Sequence, residues 1–145
     1  VVCFSPPWLS HEHWMWHPAA KAFRETMALA KEAVRNGEGE TLIRCRQPLP
    51  IVTTAAGFCE KYGPDSPLDL IKLLPDVDCP VLVTVGENTL GSSPAFDGVS
   101  EALGQLSKNR THLEVQIVPG ENMSYSMNPD RPFALTSDWL KRNGI

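Results

Sequence analysis

A chain of 145 residues and 16.0 kDa, 42% hydrophobic and 21% charged, has the composition of an ordinary folded domain and excludes a disordered or low-complexity one. Its net charge of -4, from 13 Lys and Arg against 17 Asp and Glu, lacks the concentrated positive charge that a nucleic-acid partner demands. The apolar runs, such as residues 80–85, are too short to span a bilayer, and no membrane partner is expected.

Along the chain, strand and helix signals alternate. "VVCFSPP", residues 1–7, is an apolar run with the character of a buried strand, and "WLSHEHWMWHP" after it reads as an aromatic loop. Helical spacing of Phe23, Met27, Ala30 and Val34 predicts an amphipathic helix over residues 18–36, stopped by Gly37. "TLIRCRQPLPIVTTAAGFCEKYGP" is broken by proline and glycine and is expected to be irregular, with a short helix over residues 53–61. "SPLDLIKLLPDV" predicts a short helix capped by Ser66 with Pro67 in its first turn. "PVLVTV" is apolar on both faces, as a central parallel strand is. A helix over residues 96–108 presents Val99, Leu103 and Leu106 on one stripe, and "THLEVQIVPG" forms the last strand. The final helix, residues 131–143, follows an Asp130 N-cap and is expected to bury Phe133, Leu135, Trp139 and Leu140. The expected fold class is α/β, a parallel β-sheet with helices on both faces. It forms a single or partial domain: a strand at 1–7, a cap-like helical insertion at 8–75 and a β/α core at 76–145.

Cys3, Cys45, Cys59 and Cys79 show no C-x-x-C spacing and suit reduced core thiols, which leads to an expectation of cytoplasmic placement. In "SHEHWMWHP", His11 and His13 would share one face of an extended segment, and His17 would join them if the loop folds back beside Glu12. Such a set could hold one metal ion. The interleaved Trp8, Trp14, Met15 and Trp16 give a competing reading, a hydrophobic wall with polar tips that lines a pocket or faces a partner. His112 is expected at the surface. Ser92 and Ser93 in "GSSP" suit a turn and helix start, not a nucleophile.

The succession "VVCFSPP", a cap-like insertion, "CPVLVTVGENT", a helix, "LEVQIVPGENMSY" and a terminal helix ending "SDWLKRNG" resembles the C-terminal half of an α/β-hydrolase, over essentially the whole chain. That resemblance implies a triad in the order Ser, Asp or Glu, His, with the serine in a G-x-S-x-G elbow ahead of the first strand. This chain contains no G-x-S-x-G. The family's acid position, three residues after Gly86, falls on Thr89, which cannot ionise, and Glu87 is a substitute acid shifted by two positions. The histidine position after "PGEN" is Met123, whose thioether has no basic nitrogen. Beside it, Glu121 and Ser124 read as a solvated turn and Tyr125 as a lid over the pocket.

Three functions remain open on the sequence. The chain is a non-catalytic relative, or the pocket half of a larger fold, using Trp8, Trp14, Trp16, Met123 and Tyr125 to bind a small apolar ligand or a protein. Alternatively, it is the C-terminal chain of a serine ester hydrolase whose nucleophile lies on another segment. The third is a metal-binding module on His11, His13 and His17. No cofactor is expected. The first strand would leave an apolar parallel edge, so the expected partner is the N-terminal half of the fold as a separate chain, or a second copy joined through that edge.

Overall fold

The computed structural model describes all 145 residues. In chain order its elements are β1 (Val2–Phe4), α1 (His11–Trp16), α2 (Lys21–Arg35), β2 (Leu42–Cys45), β3 (Ile51–Thr54), α3 (Ala55–Tyr62), α4 (Leu70–Leu73), β4 (Val81–Gly86), α5 (Val99–Lys108), β5 (Leu113–Val118) and α6 (Asp130–Arg142). These form two compact units, one of Val1–Pro7 with Ile71–Ile145 and one of Trp8–Leu70. No helix is long and apolar enough to cross a membrane.

The first unit is α/β. Its sheet has the order β1-β4-β5, all parallel, with Val2 opposite Leu82 and Val81 opposite Leu113. Every residue of β4 is buried, which is what a run apolar on both faces demands of a middle strand. β1 departs from the buried strand expected: Val2 and Cys3 are half-buried and Phe4 is exposed. It has a strand on one side only, and Pro6 and Pro7 lack the N–H groups that would extend it.

Helix α5 starts at Val99 behind Gly98, whose φ of 72° suits a glycine, and it buries Val99 and Leu103. In α6 the expected stripe is rotated. Pro132 and Trp139 are buried, Leu135 and Leu140 half-buried, and Phe133 is 70% exposed. Positions 132, 135 and 139 follow one helical face, and Phe133 lies about 100° round from Pro132. Asp130 is the first helical residue and not a cap; Pro129 precedes it without a side-chain cap bond. The far end of α6 is tied to β5 by Arg142 Nη2, 2.9 Å from Glu114 Oε1.

The second unit is built on α2, which buries Phe23, Met27 and Ala30 at the expected spacing while Val34 is left exposed. Phe23 is the hub of an aromatic core. Its ring centroid is 5.5 Å from Trp14 and 5.8 Å from Phe58, and Phe58 is 5.1 Å from Tyr62, all in tilted pairs. The segment expected to be irregular contains an antiparallel hairpin, with Leu42 opposite Thr54 and Cys45 opposite Ile51. Pro48 and Pro50 lie in its connection, and the strands themselves are short runs rich in Ile, Val and Thr. Thr54 ends β3 and caps α3 by accepting from Gly57 N at 3.0 Å. Ser66 caps no helix: its Oγ accepts from Leu68 N and donates to Lys61 O, a local turn, and α4 begins only at Leu70.

The hydrogen bond from Arg142 holds the Glu114 carboxyl below its ordinary value. A carboxyl lowered in the folded state adds stability above the unfolded glutamate range and loses it as pH falls through the folded value. Arg142→Ala is therefore expected to lower the denaturation midpoint slightly at neutral pH, and the gap from the parent chain should close as the solution is acidified; urea melts at several pH values check this.

Candidate functional site

The aromatic segment is a helix, not a loop. Ser10 sits in extended backbone and its Oγ accepts from His13 N at 3.4 Å, which caps the first turn of α1. His17 ends it, because Pro18 disfavours helical backbone in the residue before it, and His17 is extended at φ -65° and ψ 128°. Helical spacing then decides which side chains meet. His11 and His13, two residues apart, diverge, while His13 and His17, four apart, bring their ring centroids to 5.3 Å.

Each imidazole has its own surroundings. His13 stacks on Trp8 at 4.4 Å with planes 20° apart. His11 Nδ1 donates to Tyr62 O at 2.8 Å, and the ring meets Phe23 edge-on at 6.3 Å. His17 Nδ1 accepts from Ala19 N at 3.2 Å. The three histidines do not converge, and no group of three or more His, Cys, Asp or Glu side chains is placed to hold a metal ion. The four cysteines are free thiols, and burial pushes those of Cys3, Cys45 and Cys59 up.

The tryptophans divide in the same way. Trp14 is 2% exposed and belongs to the core, where its Nε1 donates to Trp8 O at 2.9 Å, whereas Trp16 is 86% exposed. Trp8, Ser10, Glu12, His13, Trp16 and His17 line an open groove of about 430 Å³. A second concavity of about 340 Å³ is lined by His11, Glu12, Met15 and Trp16. Glu12 and Trp16, one turn apart, are common to both and form the ridge between them. Both volumes fall in the range of small-molecule sites, and both linings are mainly apolar with a few polar groups.

The triad positions implied by the hydrolase resemblance lie in the other unit, at the carboxyl ends of its strands. Thr89 is buried in the single 3-10 turn after β4, and its Oγ1 has no hydrogen-bond partner. Glu87 Oε2 accepts from Gly120 N at 2.9 Å, and Asn88 bonds to Gly120 O and Glu121 O, so the turn after β4 is stapled to the turn after β5. The two turns touch closely. A Cβ on Gly86 would lie 2.5 Å from Asn122 O and 2.6 Å from Glu121 O, which explains the glycine.

Met123 is 55% exposed and Tyr125 is 4% exposed, so Tyr125 is an inward anchor and not a lid. Asn122 sets this alternation. Its Oδ1 accepts from Ser124 N and Ser126 N, and its Nδ2 donates to Ser126 Oγ. Tyr125 takes a left-handed φ of 52° and delivers its hydroxyl to Thr84 Oγ1 at 2.7 Å. Ser5, also left-handed at φ 41°, donates to Tyr125 Oη at 3.2 Å and accepts from Gly86 N at 3.3 Å. A buried relay of hydroxyls thus joins the ends of β1 and β4 to the 122–126 loop.

Glu121, expected in a solvated turn, is 2% exposed, and its Oε2 has no hydrogen-bond partner. Ser124 is exposed, and His112 is half-buried at the start of β5. Ser92 Oγ donates to Thr89 O at 2.6 Å, a turn role. Ser5 and Thr84 escaped the sequence reading; the available signals were a hydroxyl inside "PVLVTV" and another at the end of "VVCFS". Compared with models of known families, with curated proteins and with solved structures, the chain matches none.

Tyr125→Phe leaves the buried Thr84 and Ser5 hydroxyls short of a partner and should destabilise the protein by about 1–3 kcal/mol. Gly86→Ala should cost more than Tyr125→Phe, because its Cβ meets backbone oxygens that no rotamer change can move. Chemical denaturation of both variants gives the order, and a harmless Gly86→Ala would refute the close approach.

Proposed function

We propose that the chain is a binding protein related to the C-terminal half of the α/β-hydrolases, with α1 as the element that holds a small apolar ligand. The observation that carries this is the pair of concavities on either side of the Glu12 and Trp16 ridge, with Trp16 86% exposed above them. An indole so exposed contributes little to folding and offers a large, rigid contact area to a ligand. The parallel order β1-β4-β5 supports the relationship to the hydrolases.

Catalysis by this chain's own triad positions is disfavoured by their chemistry. Thr89 cannot orient an imidazolium, Met123 cannot take a proton, and the Glu87 carboxylate is engaged by Gly120 N. The exposed outer side of β1, where Phe4 is 45% exposed, supports pairing with a further parallel strand from an N-terminal portion or a second copy. A nucleophile brought by such a strand would still find no acid and base at positions 89 and 123.

Calorimetric titration with small aromatic and aliphatic molecules is expected to find one saturable site, weakened about ten-fold by Trp16→Ala. Met123→Ala should leave it unchanged. A fluorophosphonate probe should label no serine of this chain; labelling of Ser5, Ser92 or Ser93 with accompanying ester turnover would overturn the proposal.

A further inference from the structure

In the second unit the aromatic rings are paired, with one exception. His11, Trp14, Phe58 and Tyr62 gather around Phe23, Trp8 stacks on His13, and His13 meets His17. Trp16 takes no part in these contacts and is 86% exposed. The exception stands at a groove. Of the six side chains that line the concavity of about 430 Å³, those of Trp8, His13, Trp16 and His17 carry rings. Trp16 follows His13 by three residues on α1, so the unpaired indole and the Trp8–His13 stack border the same groove.

The polar groups of that lining are already engaged. Ser10 Oγ caps α1, His17 Nδ1 accepts from Ala19 N, and Glu12, His13 and His17 each interact within the protein. A ligand rich in hydroxyls, or one recognised by its charge, would have to displace those partners. An aromatic ring needs none of them, because offset or edge-on pairing of rings adds its own attraction to what area burial supplies.

We propose that this groove takes a planar aromatic molecule, whose ring stacks on Trp16 and completes the pairing that the fold leaves open there. The assignment rests on α1 being the ligand-binding element and narrows its ligand from apolar to aromatic.

The test is calorimetric titration of the full chain with benzyl alcohol and cyclohexylmethanol, which share a head group and a ring of the same size and differ in its saturation. The saturated ring has the larger apolar surface, so burial of area alone would make it the tighter ligand. Stacking reverses the order, and benzyl alcohol should bind about three-fold more tightly. Trp16→Leu keeps apolar bulk at an exposed position and removes the ring, which should bring cyclohexylmethanol level with benzyl alcohol or ahead of it. Equal or tighter binding of cyclohexylmethanol by the parent chain, or a preference for benzyl alcohol that survives Trp16→Leu, overturns the aromatic assignment; weaker binding of both by Trp16→Ala would still keep α1 as the ligand element. Binding of neither by the parent chain overturns both.

Discussion

Thr84 places a hydroxyl in the middle of a strand whose every residue is buried, and a buried hydroxyl left without a partner costs about 1–3 kcal/mol. Much of the first unit follows from meeting that requirement. Tyr125 reaches Thr84 only by taking a left-handed backbone that non-glycine residues seldom adopt, and Ser5 completes the relay from a second left-handed position. With Tyr125 turned in, the Asn122-centred turn directs Met123 out. The thioether of Met123 therefore faces solvent, and Gly86 lets the two turns close on each other.

In the second unit the corresponding constraint is the pair of signals around "HEHWMW". The Ser10 cap and the stop before Pro18 force a six-residue helix, and that helix sorts its aromatic residues by angle. Trp14 goes to the core with Phe23, and Trp16 goes to solvent. The same rotation separates His11 from His13 and gives each different surroundings, a bond to Tyr62 O for His11 and a stack on Trp8 for His13. The exposed side of α1 thus rests on a packed aromatic core, which suits the proposed role of holding a ligand without first changing shape.

Periodicity made the larger elements legible. The spacing of Phe23, Met27 and Ala30 placed α2, and "PVLVTV" identified the middle strand, because each pattern runs long enough to distinguish a helix from a strand. The hairpin was hidden by Pro48 and Pro50, which dominate a short segment without interrupting its strands. Helix α1 was missed because six residues are too few for a period, so its capping residues were the readable evidence. In α6 the composition suggested Phe133 as core, but Pro132 and Trp139 fix the buried face. The hydroxyl relay joins residues 41 and 120 positions apart, a distance across which local pattern carries no information. In the candidate site, the residue types of α1 were legible and their partition was not.

The most direct test of α1 as the binding element is a two-dimensional 1H–15N spectrum recorded while benzyl alcohol, a small aromatic molecule, is added, read at the indole N–H signals of the four tryptophans. The account predicts a saturable shift of Trp16, with Trp8 following to a smaller degree, while the core residues Trp14 and Trp139 stay in place. Saturable shifts at Trp139 with none at Trp16 would place binding elsewhere in the protein and contradict it.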